Sequence, residues 1–136
     1  MENYFMKLRA CVLLLTMLFQ VTACSNSPTT LNVTLSDYSY TPDTFTVPAG
    51  REITLNIKNQ GFVSHMFIIF KLGKDAGEKF GPEDKDNIYW QFEVLPGKSA
   101  TAKFIAPTEP GNYYVTCGLG GHHEVGMAGT LKVVKN

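Results

Sequence analysis

The chain has 136 residues, of which 44% are hydrophobic, and it carries 12 basic and 12 acidic side chains. This length suits one domain, and the hydrophobic content is enough for a buried core and too high for a disordered chain. A formal net charge of zero argues against a nucleic-acid-binding protein, because such proteins bind mainly by neutralising phosphates with Lys and Arg. Three cysteines are too few for a disulfide scaffold.

The N-terminal segment is typical of an export signal. Lys7 and Arg9 precede an apolar run over residues 10–19, which is too short to span a bilayer as a helix, because a span needs about 20 apolar residues. The segment ends in Val21-Thr22-Ala23-Cys24, which resembles the lipobox of bacterial lipoproteins. The resemblance implies that residues 1–23 are a signal peptide that is removed, and that Cys24 carries a lipid anchor. The alternative is an ordinary secretory signal with an incidental cysteine, and either interpretation predicts an exported protein.

Beyond a short polar tether over residues 24–30, the sequence has the period of β-strands. Apolar and polar residues alternate, as in strands that bury one face, in four stretches: 31–36, 53–58, 88–95 and 130–134. Residues 65–70 are apolar on both faces, which predicts a more deeply buried strand, whereas residues 73–85 lack strand character and allow a helical turn or two. Seven to eight short strands separated by turn signals predict an all-β domain over residues 31–136, built as a β-sandwich.

A cysteine, a histidine and a methionine follow one another closely near the C-terminus. Once the signal is lost and Cys24 is lipidated, Cys117 is the free thiol of the mature chain, and outside the cytoplasm such a thiol needs burial or a metal. It begins the pattern C-x4-H-x4-M, which continues to His122 and Met127 through a glycine-rich loop. Because glycines let a short loop fold back, the thiolate, imidazole and thioether can converge.

A further histidine completes a set of copper ligands. His65 opens the deeply buried strand, and a sandwich can bring the start of one strand beside the end of another. Two His and one Cys with a weak axial Met are the ligands of a blue-copper electron-transfer site. Of the adjacent pair His122 and His123, we favour His122, because Gly120 and Gly121 allow the chain to double back before it. We expect His123 to be a solvated surface residue.

These residues and their surroundings resemble the cupredoxin family. The resemblance covers residues 31–136, and the loop spacing is similar to that of rusticyanin, sulfocyanin and auracyanin-type proteins. It implies a two-sheet Greek-key β-sandwich and one type 1 copper ion bound by His65, Cys117, His122 and axial Met127. It also implies a protein that is not an enzyme and that shuttles single electrons between larger redox proteins.

One position departs from that resemblance in a way that concerns the thiolate. Many cupredoxins have Asn or Ser directly after the first ligand histidine, where the side chain ties the two ligand loops together. This chain has Met66 there. We therefore expect weaker bracing of the thiolate.

Partners are expected to be redox proteins and, through the lipid anchor, a membrane, with no nucleic acid and no small-molecule substrate. An apolar rim for transient docking is predicted from residues 61–63, 119–121, Val125 and Ala128. The segment 74–86 has three Lys and five acidic residues, and it is either a solvated loop or an element that steers partners. The alternative functions are a copper carrier or storage protein and a small copper enzyme with an open coordination site.

Overall fold

The computed structural model describes residues 27–135. The predicted signal peptide and Cys24 lie outside these residues. Of the predicted tether, residues 27–29 precede the first strand, while Thr30 already belongs to it. No helix within the described residues is long and apolar enough to cross a membrane.

The all-β prediction is confirmed, but residues 27–135 form nine strands instead of seven to eight. The strands are β1 (Thr30–Ser36), β2 (Ser39–Thr41), β3 (Thr44–Pro48), β4 (Glu52–Asn59), β5 (His65–Phe70), β6 (Ile88–Val94), β7 (Ser99–Ile105), β8 (Gly111–Thr116) and β9 (Ala128–Val134). The predicted number was low because β2 has three residues, too few to show alternation.

The strands form two sheets packed as a sandwich. One sheet has the order β2-β1-β4-β7, and the other has the order β3-β9-β8-β5-β6. Most neighbours are antiparallel, but β1 pairs with β4 and β3 pairs with β9 in parallel. Since β5 and β8 are antiparallel neighbours, the first residue of β5 lies at the same end of the sheet as the last residue of β8.

The core follows the predicted alternation. Its buried side chains come from both sheets and include Leu31, Val33, Leu35, Ile53, Leu55, Ile57, Phe67, Ile69, Tyr113, Val115, Leu131 and Val133. Strand β6 is half-buried on its apolar face because it forms one edge of its sheet. Trp90 of β6 nevertheless stacks on Phe104 of β7 with ring centroids 4.9 Å apart, which closes that side of the sandwich.

The chain between β5 and β6, residues 71–87, covers the outer face of the five-stranded sheet. Ala76 and Phe80 pack against Ile68 and Phe70, which is why β5 is buried on both faces. The expected helical turn is a short 3-10 helix at Pro82–Asn87.

Candidate metal centre

The four predicted ligand residues lie at one end of the sandwich. His65 is the first residue of β5, and Cys117 directly follows β8. His122 lies in the loop that leaves Cys117, and Met127 ends that loop immediately before β9. The loop is held closed by its own backbone, because the Cys117 amide donates to the Met127 carbonyl at 3.2 Å and the Met127 amide donates to the His122 carbonyl at 2.9 Å.

Three of these side chains bring their donor atoms together. Possible ligand atoms of His65, Cys117 and His122 lie within 4.8 Å of one another. Cys117 Sγ is 3.3 Å from His122 Nδ1, and the two imidazole rings have centroids 4.9 Å apart. His65, Cys117 and Met127 are fully buried, and His122 keeps 8% of its surface exposed. The arrangement is that of a nearly dry metal site with one edge reachable from the surface.

The hydrogen-bond partners of the His65 ring test whether a metal fits. Its Nε2 lies 3.1 Å from Asp37 Oδ1, and an ionised carboxylate can only accept, so the proton is on Nε2. Its Nδ1 therefore presents a lone pair, and this buried atom has no hydrogen-bond partner within the described part of the chain. Buried polar atoms are rarely left without a partner. A metal ion bound at Nδ1 would satisfy it.

Burial affects the other two donors in opposite ways with respect to metal binding. It raises the pKa of the Cys117 thiol, a shift that the Met66 amide opposes by donating to Sγ at 3.3 Å. It lowers the pKa of His122, and the nearby His65 lowers this pKa further. The lowered pKa favours the neutral imidazole that can bind a metal, whereas the raised pKa opposes the thiolate, which the Met66 amide and a bound metal would each stabilise.

Hydrogen bonds from two groups stabilise the surroundings of His65 and Cys117 without the side chain of Met66. The hydrogen bond to Cys117 Sγ comes from the backbone amide of Met66, which does not depend on the side chain. Asn59 Nδ2 donates to the carbonyls of Val63 at 2.8 Å and Val94 at 2.9 Å, while its Oδ1 accepts from the Gly61 amide. The loop before His65 is thus tied to its neighbours by Asn59.

His123 is not the solvated residue predicted above. It is only 8% exposed, and its Nε2 donates to the carbonyl of Gly77 at 3.0 Å. Its Nδ1 is 3.1 Å from Thr116 Oγ1 and 3.4 Å from the Tyr114 hydroxyl. Its burial follows from segment 71–87, which covers this flank and supplies the carbonyl. His123 therefore ties the ligand loop to β8 and to that segment.

Exposed apolar side chains lie in the loops that lead to His65 and contain His122. Phe62 is 92% exposed, Val125 62% and Val63 43%, as expected for the predicted rim, whereas Leu119 is half-buried and packs on the core. Tyr38 also belongs to this rim: it is 51% exposed, and its ring meets that of His122 edge-on at 5.1 Å.

Sequence reasoning missed Asp37 and Tyr38. They form the two-residue turn between β1 and β2, and nothing in a short polar turn indicates a neighbour 28 residues away. Gly61 is a weak sequence signal for a close contact at His65, because a Cβ at this position would lie 2.6 Å from His65 Nε2. Only glycine lets the loop pass this close to the histidine.

Comparisons with known proteins agree with this fold and site. The family model described as a cupredoxin-like domain matches residues 9–133. An auracyanin from the photosynthetic bacterium Roseiflexus castenholzii is 31% identical, with a TM-score of 0.68 over 79% of this chain and 98% of that chain. Auracyanin A from Chloroflexus aurantiacus, described as a "blue" copper protein, is 27% identical, with a TM-score of 0.62 over 77% of this chain and 98% of that chain.

Rusticyanin from Thiobacillus ferrooxidans shares the fold at 22% identity, with a TM-score of 0.60 over 79% of each chain. No curated protein matches the chain by sequence. The family match spans most of the chain, and the two-sheet sandwich with its buried Cys and His cluster is what that family predicts. The chain belongs to the cupredoxin-like family.

Proposed function

We propose that this protein is a blue-copper electron carrier that is exported and held at a membrane by lipid on Cys24. In this proposal His65, Cys117 and His122 bind one type 1 copper ion, with Met127 as a weak axial ligand. It transforms no substrate, and its partners are redox proteins.

The observation that carries the proposal is the convergence of buried donors in one small volume. Two imidazole nitrogens and one thiol sulfur lie within 4.8 Å of one another, and His65 Nδ1 has no other partner in the described residues. Soft thiolate together with imidazole is a donor set that copper prefers. When bound, copper supplies a one-electron couple between Cu(II) and Cu(I).

The protein holds the ligand side chains in a fixed arrangement that is shielded from water. His65 and Cys117 are attached to neighbouring strands of one sheet, and the Cys117–Met127 loop is closed by backbone hydrogen bonds. Side chains held in this way move little when the charge at the site changes, which favours fast electron transfer. The amide of Met66 donates to the sulfur and stabilises its thiolate form.

The exposed rim supports transient docking with redox proteins. Tyr38 contacts His122, the one ligand whose edge reaches the surface, and Phe62, Val63 and Val125 are exposed in the loops that carry the ligands. A small apolar contact at this edge would bring a partner close to His122 and release it quickly. Both properties suit a carrier that must meet a donor and an acceptor in turn.

The visible spectrum of the copper-loaded protein tests the function. An intense copper–thiolate absorption that is lost on one-electron reduction and returns on oxidation is expected. A copper carrier would bind copper without that absorption, and an enzyme with an open coordination site would change its spectrum when azide or imidazole is added. Either result would contradict the proposed electron carrier.

The anchor has a separate test in the full-length chain. Cys24→Ala is expected to leave an unprocessed or soluble form, while Cys11→Ala, a matched change inside the predicted signal, is expected to leave processing and membrane association unchanged. Processed Cys24→Ala protein that stays with the membrane would contradict lipid anchoring.

A further inference from the structure

The turn between β1 and β2 places a carboxylate against the imidazole of His65. We propose that Asp37 is a positioning residue that sets the tautomer of His65 and lowers the reduction potential of the bound copper. This inference rests on the proposed function. It concerns a residue that lies far in sequence from every proposed ligand.

One oxygen atom of Asp37, in the β1–β2 turn, contacts both His65 and the loop that precedes it. Asp37 Oδ1 lies 3.1 Å from His65 Nε2 and also accepts from the Phe62 amide at 3.1 Å. The Phe62 amide is 3.2 Å from Oδ2 as well. His65 has no exposed surface, and the Asp37 side chain is 30% exposed. The carboxylate therefore holds both the ring of His65 and the loop that precedes it.

The acceptor on the ring is an anion. The Asp37 carboxylate accepts from two donors, the Phe62 amide and His65 Nε2. A carboxylate acceptor makes a stronger hydrogen bond than a neutral carbonyl, because the acceptor is charged. The strength of this bond affects the opposite nitrogen of the ring.

Nδ1 is the atom through which the effect reaches the metal. A carboxylate that accepts from one ring nitrogen fixes the proton there, orients the ring and makes the other nitrogen a more basic ligand. A more basic ligand stabilises Cu(II) more than Cu(I), since Cu(II) carries the higher charge. Asp37 therefore favours the oxidised state.

The substitution Asp37→Asn tests the effect of the negative charge while keeping the hydrogen-bond geometry at His65. Because Asp37 Oδ1 is the oxygen shared by His65 and Phe62, the amide oxygen of Asn can accept from both while the negative charge is removed. The matched control is Glu124→Gln, which removes one exposed negative charge from the ligand loop. Glu124 is exposed and lies two residues after His122, so its charge acts on the site through space.

The first measurement is the reduction potential of the copper-loaded variants. For Asp37→Asn we expect the oxidised-to-reduced ratio at a fixed applied potential to fall roughly tenfold, which is a rise of about 59 mV for one electron. Glu124→Gln is expected to produce less than a third of that rise. Equal shifts in the two variants, or no shift in Asp37→Asn, would overturn the effect on potential.

The second measurement needs no copper. Nitrogen NMR of the metal-free protein is expected to show the His65 proton on Nε2 in the wild type, and a mixture of tautomers in Asp37→Ala. A proton on Nδ1 in the wild type, or an unchanged tautomer in Asp37→Ala, would overturn the positioning role. If copper gives no thiolate absorption, the proposed function and the effect on potential both fail, while the tautomer result still decides the positioning role.

Discussion

His122 and His123 are adjacent in sequence and equally buried, each with 8% of its surface exposed, yet they belong to different regions of the molecule. His122 lies at the end of the sandwich, with its Nδ1 3.3 Å from the Cys117 sulfur. His123 lies on the flank, with its two ring nitrogens against Gly77 O and Thr116 Oγ1.

The difference between the two regions lies in the partners of the rings. The flank supplies oxygen partners to both nitrogens of His123 and so uses it as a structural tie. The end of the sandwich instead gathers a sulfur and imidazole nitrogens, and one of those nitrogens, His65 Nδ1, has no partner within the described residues. Burial of a histidine is therefore a poor sign of metal binding, whereas converging donors are a good one.

The substitution with the greatest consequence replaces the sulfur of Cys117 at the end of the sandwich. Cys117→Ser is expected to abolish the copper–thiolate absorption completely while the domain stays folded, because a hydroxyl is a poor soft donor of similar size. Visible absorption of the copper-treated variant would measure the copper–thiolate band, and far-ultraviolet circular dichroism would measure whether the domain is folded. Persistence of the intense absorption would show that Cys117 is not a ligand.

Paired alanine substitutions test the two histidines directly. His122→Ala is expected to open a coordination position that added imidazole can fill, with a visible change in the spectrum. His123→Ala is expected to keep the spectrum and to lower the free energy of unfolding by about 1–3 kcal/mol, because Gly77 O and Thr116 lose a buried partner. Spectra and denaturant unfolding of both variants are the measurements. Exchanged phenotypes would assign the ligand role to His123.

A smaller effect is expected from the axial position. Met127→Leu preserves volume at a fully buried site, so the free energy of unfolding should change by less than about 1.5 kcal/mol. The reduction potential should rise, because a weak donor that favours oxidised copper is removed. We expect a shift of about 59 mV, a tenfold change in the oxidised-to-reduced ratio. An unchanged potential would show that Met127 does not act as the axial ligand.

The smallest effect concerns the rim and leaves the metal site intact. Phe62→Ala is expected to slow association with a redox partner about fivefold, equivalent to about 1 kcal/mol, with no change in spectrum or potential. Ile105→Ala is the matched control, since Ile105 is 52% exposed and lies at the end of β7. Stopped-flow measurement of electron transfer would compare the association rates of the two variants. Equal rates would show that this rim has no role in docking.

Much of this fold could be predicted because alternation is a local property. The stretch 31–36 shows it directly, since Leu31, Val33 and Leu35 are buried as expected. The same local rule failed for β2, whose three residues carry too little pattern, and it could not assign strands to sheets. The parallel pairing of β1 with β4 depends on contacts between residues more than twenty positions apart.

The donor types of the site could be inferred before folding was considered, because the C-x4-H-x4-M spacing and the soft thiol already indicated copper. The groups that surround those donors became known from the packed fold. It placed Asp37 on His65, brought the backbone amide of Met66 to the Cys117 sulfur, and buried His123 under segment 71–87. This is because donor type is a property of one residue, whereas burial and hydrogen bonding depend on chain segments that meet only after the sheets have packed.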